Sequence, residues 1–146
     1  MTSDPRRTLA TLYALVDAGY LLHGSPALLT VVEPRQGRDG RNAAGNHLGV
    51  YASEIPTVAV LMAMFAPVPG HENDWTSFYS GTNRHMIAGG THVTLMPGFV
   101  HVVRPEPFVR IDHELLSQVA VRVDHVLPVA PDIIRHMPNL QVDFPI

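Results

Sequence analysis

Three short segments of this chain carry side chains suited to holding a nucleotide. An apolar run ends in His23, Gly24 and Ser25; Tyr51 precedes a long apolar stretch; and Glu114 begins a further apolar run. An imidazole and a hydroxyl can hydrogen-bond a sugar, and glycine leaves the backbone open to close approach. An aromatic ring offers a stacking face, and a carboxylate stabilises positive charge as it develops. The spacing therefore allows one nucleotide site built from three distant segments.

Each of these residues also has a structural interpretation. Tyr51 is a β-former on a half-buried strand, Gly24 and Ser25 before Pro26 are typical of a turn, and Glu114 is compatible with a solvated strand edge. Only the occurrence of all three segments in order favours the functional interpretation.

The elements that position the first segment are a helix and a strand. Asp4 and Pro5 suit the start of a helix, an apolar face follows, and Gly19 ends it, which predicts a helix over residues 5 to 18. Residues 20 to 23 are predicted as a buried strand, and residues 28 to 32 as a strand or a helical turn. Residues 35 to 46 carry three glycines and few apolar side chains, which predicts a mobile loop.

The second segment is predicted as a strand over residues 49 to 52 followed by a helix. Ser53 and Pro56 suit its entry, and it is expected to run to about Phe65. Because this stretch is apolar on nearly every side, the helix is expected to be buried.

The rest of the chain alternates short β-rich runs with glycine and proline breaks. Strands are predicted over 75 to 79, 92 to 95, 99 to 103, 108 to 111, 114 to 116 and, as one long strand, 119 to 129. Two helices followed by strands without intervening helices predict an α+β domain of mostly antiparallel sheets, because parallel strands need crossover connections. The length of 146 residues favours a single domain over residues 1 to 146.

Composition narrows the classes of function. A net charge of −3 argues against binding to the nucleic-acid backbone through an extended positive surface. All ten basic residues are arginine, so no lysine nucleophile exists. The chain has no cysteine, which excludes thiolate chemistry and disulfides. No signal peptide or membrane-spanning run is recognisable, so a soluble cytoplasmic protein without membrane association is expected.

In order and spacing, His23-Gly24-Ser25, Gly49-Val50-Tyr51 and Glu114-Leu115-Leu116-Ser117 resemble the three motifs of the ADP-ribosyltransferases. The branch that they resemble is that of diphtheria toxin and the poly(ADP-ribose) polymerases. The resemblance implies an ADP-ribosyltransferase-like fold of two packed, mostly antiparallel sheets, with an N-terminal helix and a buried helix after the second motif.

The resemblance also implies roles for single residues, with NAD as the substrate. By position, His23 and Ser25 hold a ribose, the Gly24 backbone holds the carboxamide, Tyr51 stacks on the nicotinamide, and Glu114 bonds the ribose 2′-hydroxyl. His23, Tyr51 and Glu114 form the expected catalytic set. The implied activity is NAD-dependent mono-ADP-ribosyl transfer in a toxin-like or housekeeping enzyme.

One departure from the family pattern concerns the helix after the second motif. Where the polymerase branch carries a second stacking tyrosine, this chain offers Val58, Leu61 and Met62, unless Trp75 or Tyr79 enters from elsewhere. The long helical insertions of chain-elongating polymerases are absent, which favours single-unit transfer or hydrolysis.

Further side chains are weaker candidates. Asp112 stands two residues before Glu114, where some toxin relatives carry a residue that orients the target, although a solvated surface acid is the simpler interpretation. Arg35, Arg38 and Arg41 lie between the first two motifs and are candidate contacts to the pyrophosphate.

Several other chemistries lack local support. No histidine pair has helical zinc-ligand spacing, so no metal is expected, although His101, His113 and His125 on strands remain open to convergence. Phosphate-loop, Rossmann and α/β-hydrolase motifs are absent.

Alternatives to ADP-ribosyl transfer remain. An NAD glycohydrolase and an RNA 2′-phosphotransferase-like enzyme are related possibilities, and a noncatalytic NAD-binding or interaction domain is the competing class. Expected partners are NAD, a protein or nucleic-acid acceptor, and an antitoxin or inhibitor.

Overall fold

The helices and strands belong to a computed structural model that describes residues 4–36, 47–67, 70, 75–80, 85–90, 93–111, 114–137 and 140–143. The helices are α1 (Pro5–Asp17) and α2 (Pro56–Met64), with a short 3-10 helix over Pro131–His136. The strands, in chain order, are β1 (Leu21–Ser25), β2 (Val31–Val32), β3 (Arg35–Gln36), β4 (Leu48–Ala52), β5 (Phe65–Pro67), β6 (Trp75–Ser80), β7 (His85–Gly90), β8 (Val93–Leu95), β9 (Gly98–Val103), β10 (Val109–Ile111), β11 (Glu114–Ser117), β12 (Val121–Arg122), β13 (His125–Val129) and β14 (Leu140–Asp143).

Helix α1 begins at Pro5 as predicted and ends at Asp17, one residue before the predicted end. The Asp4 side chain accepts a hydrogen bond from the Arg6 amide, with Pro5 in the first turn. This contact satisfies one of the amide groups that a helix start leaves without a partner. Gly19 follows the helix at a φ of 101°, a conformation that favours glycine.

Helix α2 is buried as predicted, but Ser53 does not cap it. The residue before the helix is Ile55, which provides no side-chain cap. The Ser53 hydroxyl instead accepts the Ile55 amide at 3.0 Å and forms a local turn ahead of the helix. Pro56 provides the predicted first-turn proline.

Two sheets carry those predicted site residues that the structure describes. The first has the strand order β1-β9-β13 and the second has the order β10-β11-β4-β3, with every neighbouring pair antiparallel. Strand β3 corrects the prediction of a loop from residue 35, because Arg35 and Gln36 pair with Gly49 and Leu48.

The predicted long strand over residues 119 to 129 is wrong. Its halves pair with different partners: Val121–Arg122 with β2, and His125–Val129 with β9. Because one straight strand cannot join both partners, the chain changes direction at Val123 and Asp124, whose amides bond Thr30 and Val102.

The first sheet separates two hydrophobic clusters, since successive side chains of a strand point to opposite faces. On one face, Leu22, Val100 and Val102 pack with α1 and α2. On the other face, Leu21 and Val103 join one buried cluster with Val50 and Ala52 of the second sheet; the cluster also contains Val32, Phe108 and Val121.

The protein is therefore α+β, with few helices and several small, mostly antiparallel sheets. The exception is β14, which pairs in parallel with β7. Strands β3, β5, β7 and β14 and the 3-10 helix were not predicted. In the described ranges, no helix has the length and apolar character needed to cross a membrane.

Candidate functional site

The first and second motif segments meet where β1 approaches β4. Leu22 and Ser53 exchange two backbone hydrogen bonds, of 2.9 and 2.7 Å. Beyond this single bridge the two strands do not continue as a ladder, although Gly24 and Tyr51 would form the next hydrogen-bonded pair. The pairing of β1 with β4 therefore ends immediately beside both motifs, and we refer to this break in strand pairing as the gap.

The His23 side chain joins the two strands at this point. Its Nδ1 lies 2.6 Å from the carbonyl oxygen of Tyr51. Because a carbonyl can only accept, Nδ1 donates the proton, which leaves Nε2 of a neutral ring as an acceptor. Burial lowers the pKa of His23 below the usual histidine value; the bond to Tyr51 opposes this shift, and His101 and Arg35 add to it. The ring is therefore neutral at pH 7.

Gly24 is required by packing against α2. A Cβ at this position would overlap the carbonyl oxygen of Ala59 and lie 2.5 Å from the amide nitrogen of Ala63. The sequence argument for this glycine was close approach to a flat amide; the structure provides a different reason, which is close approach to a helix.

The peptide groups of Gly24 nevertheless point toward the gap between the sheets. Leu22 directs its N–H and C=O at Ser53, on the edge of β1 away from β9. Backbone groups of alternate residues in a strand point the same way, so the N–H and C=O of Gly24 face this edge too. They form a donor and acceptor pair at the place where the strands separate.

Ser25 has a local role in the described structure. Its hydroxyl accepts the Ala27 amide at 3.1 Å, which closes a turn after β1. The hydroxyl proton stays available to a sugar oxygen, because this bond uses the oxygen only as an acceptor.

Tyr51 and Glu114 share one face of the second sheet. Tyr51 pairs with Leu116, and Glu114 stands two residues before Leu116 at the first position of β11. The two side chains are diagonal neighbours on adjacent strands, a relation that allows long side chains to interact. Burial raises the pKa of Tyr51, its hydrogen bond opposes this, and the charge of Glu114 contributes to the rise.

The Tyr51 hydroxyl also fixes its own ring. It donates to the carbonyl oxygen of His47 at 2.8 Å, and the ring remains partly exposed. The structure thus links His23 to the backbone of Tyr51, and Glu114 to the side chain of Tyr51, so that Tyr51 lies between the other two.

Of the three candidate arginines, Arg35 is described and lies near the site. It pairs with Gly49, which places it on the same face of the second sheet as Tyr51. It is exposed, and its charge helps to lower the pKa of His23. Arg38, Arg41 and Asp112 lie outside the described residues.

One of the three α2 residues that were expected in place of the second stacking tyrosine is ruled out by the structure. Leu61 is fully buried, so it offers no surface to a ligand, whereas Val58 and Met62 are partly exposed. The Cβ of Met62 also lies beside Gly24. The side chains of Trp75 and Tyr79 lie outside the described part of the structure.

Convergence of His101 with His125 on a metal does not occur. His101 pairs with Val126 and His125 pairs with Val102, so the two histidines occupy opposite faces of the first sheet. No group of three metal-ligating side chains is found among the residues that the structure describes, which do not include His113.

A groove of about 920 Å³ lies elsewhere on the surface, and the sequence did not predict it. Its lining includes Tyr20, Arg104, Asp124 and His125 but none of the predicted site residues. The Arg104 guanidinium already pairs with Asp124 at 3.0 Å. We favour the gap beside Gly24 as the site, because His23 bonds the Tyr51 carbonyl there and Glu114 lies diagonally opposite Tyr51 on the adjacent strand.

Comparison with models of protein families, with curated proteins and with solved structures found no match to this chain.

Proposed function

We propose that this protein is an NAD-dependent mono-ADP-ribosyltransferase whose site is the gap between β1 and β4. The observation that carries the proposal is the hydrogen bond from His23 to the Tyr51 carbonyl. It joins the first and second motif segments at the point where their strands separate. The motif resemblance and the α+β architecture support the same function.

The nicotinamide end of NAD suits the polar groups at this gap. A carboxamide offers one carbonyl oxygen and one NH₂ group, which complement the N–H and C=O of Gly24. The ring of Tyr51, held by its bond to His47, provides a face for the pyridinium. The neutral His23 ring offers Nε2 as an acceptor for a ribose hydroxyl.

The reaction breaks one bond and forms one bond. The bond between nicotinamide and ribose breaks with its electron pair leaving on the nicotinamide nitrogen, which produces neutral nicotinamide and a ribosyl cation. An acceptor oxygen or nitrogen then bonds the cationic carbon and releases its proton to water. The step needs no oxidant or reductant.

Glu114 has the charge that this step requires. A carboxylate beside the ribose attracts the cation more strongly than the ground state, so it lowers the barrier. Loss of one such contact typically reduces the rate by about 10²- to 10³-fold. The position of Glu114 beside Tyr51 brings this charge to the nicotinamide side of the proposed site.

Nicotinamide release from NAD by the purified protein tests the proposal. We expect release by the parent and a loss of about 10²- to 10³-fold in Glu114→Gln, which keeps the size of the side chain and removes its charge. Glu106→Gln, at an exposed residue lining the separate groove, is the matched control and should keep the parent rate.

The alternatives give different results in the same assay. Release without transfer of radiolabelled ADP-ribose to added protein or nucleic acid would indicate an NAD glycohydrolase. A parent that neither releases nicotinamide nor gains thermal stability with NAD would refute the proposal and favour a noncatalytic interaction domain.

A further inference from the structure

His101 is a fully buried polar side chain directly opposite His23 in the first sheet. Its Nδ1 lies 3.1 Å from the carbonyl oxygen of His23, and its Nε2 lies 3.0 Å from the amide nitrogen of Leu29. The ring therefore contacts both the strand that carries the first motif and the segment that follows this strand.

The two partners determine the state of the ring. A backbone amide only donates, so Nε2 accepts from Leu29 and carries no proton. A carbonyl only accepts, so Nδ1 carries the proton and donates to His23. His101 is thus neutral and uses both ring nitrogens. Burial lowers its pKa, which favours the same state.

These bonds lie close to the proposed ligand groups. The His23 carbonyl faces β9 and belongs to the peptide unit whose N–H is that of Gly24. The bond from the His101 ring to this carbonyl therefore adds to the strand pairing in restraining the plane of the Gly24 amide. The ring of His23 lies next to that of His101, with a distance of 5.9 Å between centroids. A shift of β1 would move the Gly24 amide and the His23 ring together.

On this basis, which rests on the proposed function, we propose that His101 is a positioning residue for NAD: its donation to the His23 carbonyl holds the His23-Gly24 segment in its binding geometry. His101 does not touch the substrate. Loss of the bond weakens the binding of NAD and leaves the chemistry at Glu114 intact.

Three substitutions separate the two hydrogen bonds. In His101→Asn, the side-chain NH₂ reaches the position of Nδ1 and can donate to His23, while the bond to Leu29 is lost. In His101→Gln, the longer side chain reaches Leu29 with its oxygen and leaves the His23 carbonyl without this donor. His101→Leu removes both bonds.

The measurement is KM and kcat for nicotinamide release from NAD, with thermal unfolding of every variant. We expect the KM of His101→Gln and His101→Leu to rise about tenfold, with kcat within about twofold of the parent. We expect His101→Asn to stay within about threefold of the parent KM, because it keeps the donor. If His101→Leu does not fold, the Asn and Gln variants provide the test.

Val103→Ala is the matched control. Val103 lies on the same strand and face, is equally buried, and pairs with Leu21. It should lower the unfolding temperature without raising KM.

The outcomes distinguish the two proposals. An unchanged KM in both His101→Gln and His101→Leu overturns the positioning role alone. A KM that rises in His101→Asn but not in His101→Gln also overturns it. An equal rise in Val103→Ala also overturns it, because the effect would then follow stability. A parent that neither binds nor cleaves NAD overturns the proposed function and the positioning role together.

Discussion

His23 and Tyr51, 28 residues apart in the sequence, are joined by a hydrogen bond of 2.6 Å between Nδ1 and the main-chain carbonyl oxygen. The bond uses the backbone of Tyr51 and leaves its ring free to serve another purpose. It also directs Nε2 of His23 away from this carbonyl, since the two nitrogens lie on different sides of the imidazole. One contact therefore brings two motifs together and orients a polar group.

The packing of Gly24 on α2 predicts a large loss of stability in Gly24→Ala. The new Cβ would meet backbone atoms of Ala59 and Ala63, which cannot rotate away, so we expect the free energy of unfolding to fall by about 3 kcal/mol or more. Chemical denaturation measures this change.

Gly49→Ala is the comparison for that variant. There the atom nearest to the new Cβ is Cδ2 of Leu116 at 2.6 Å, the end of a flexible side chain, and the nearest backbone atom, the Ser117 carbonyl oxygen, lies at 3.0 Å. A smaller loss of about 1 to 2 kcal/mol is therefore expected. Equal losses in the two variants would contradict the explanation by backbone packing.

The two neutral histidines predict that stability falls with acidification. His23 and His101 have pKa values lowered mainly by burial, so below the usual histidine value of about 6.5 the unfolded chain binds protons that the folded chain does not. The free energy of unfolding should be constant above this pH and fall below it, by up to about 1.4 kcal/mol per pH unit for each histidine.

Urea denaturation between pH 7.5 and 5.5 measures this slope. His101→Gln removes one of the two groups and should make the slope shallower, whatever its effect on stability at pH 7.5. An unchanged slope in this variant would show that His101 titrates normally in the folded protein.

The two functions of Tyr51 can be separated by substitution. Tyr51→Phe removes the hydroxyl bond to His47 and should cost about 1 kcal/mol of stability while keeping the ring and the KM for NAD. Tyr51→Ala removes the stacking face as well, so its KM should rise about 3- to 10-fold. A KM in Tyr51→Ala equal to that of Tyr51→Phe would exclude stacking on this ring.

Arg35 is expected to contribute a small, salt-sensitive attraction to the NAD pyrophosphate. Because the residue is exposed, Arg35→Gln should raise the KM by about 2- to 5-fold at low salt, and the difference should shrink as the ionic strength increases. Arg122→Gln, at an exposed arginine on β12, should not change the KM. Equal effects of both substitutions would indicate a general effect of net charge.

Local chemistry in the sequence was enough to predict several elements of this protein. Asp4, Pro5 and Gly19 predicted the bounds of α1 because capping and helix termination depend on neighbouring residues. The apolar stretch after Pro56 predicted a buried helix, and the predicted strand starting at Glu114 is confirmed. The α+β class followed from the order of such elements along the chain.

Only the tertiary structure decided which strands pair and which side chains meet. From the sequence no metal was expected, and convergence of His101 with two other histidines was only left open. Pairing with His23, 78 residues away, makes His101 a hydrogen-bonded core residue. The interruption of the predicted strand at Val123 and the packing of Gly24 against α2 were likewise decided by tertiary contacts. Strand register and packing depend on partners distant along the chain, and the local sequence does not encode which partner is chosen.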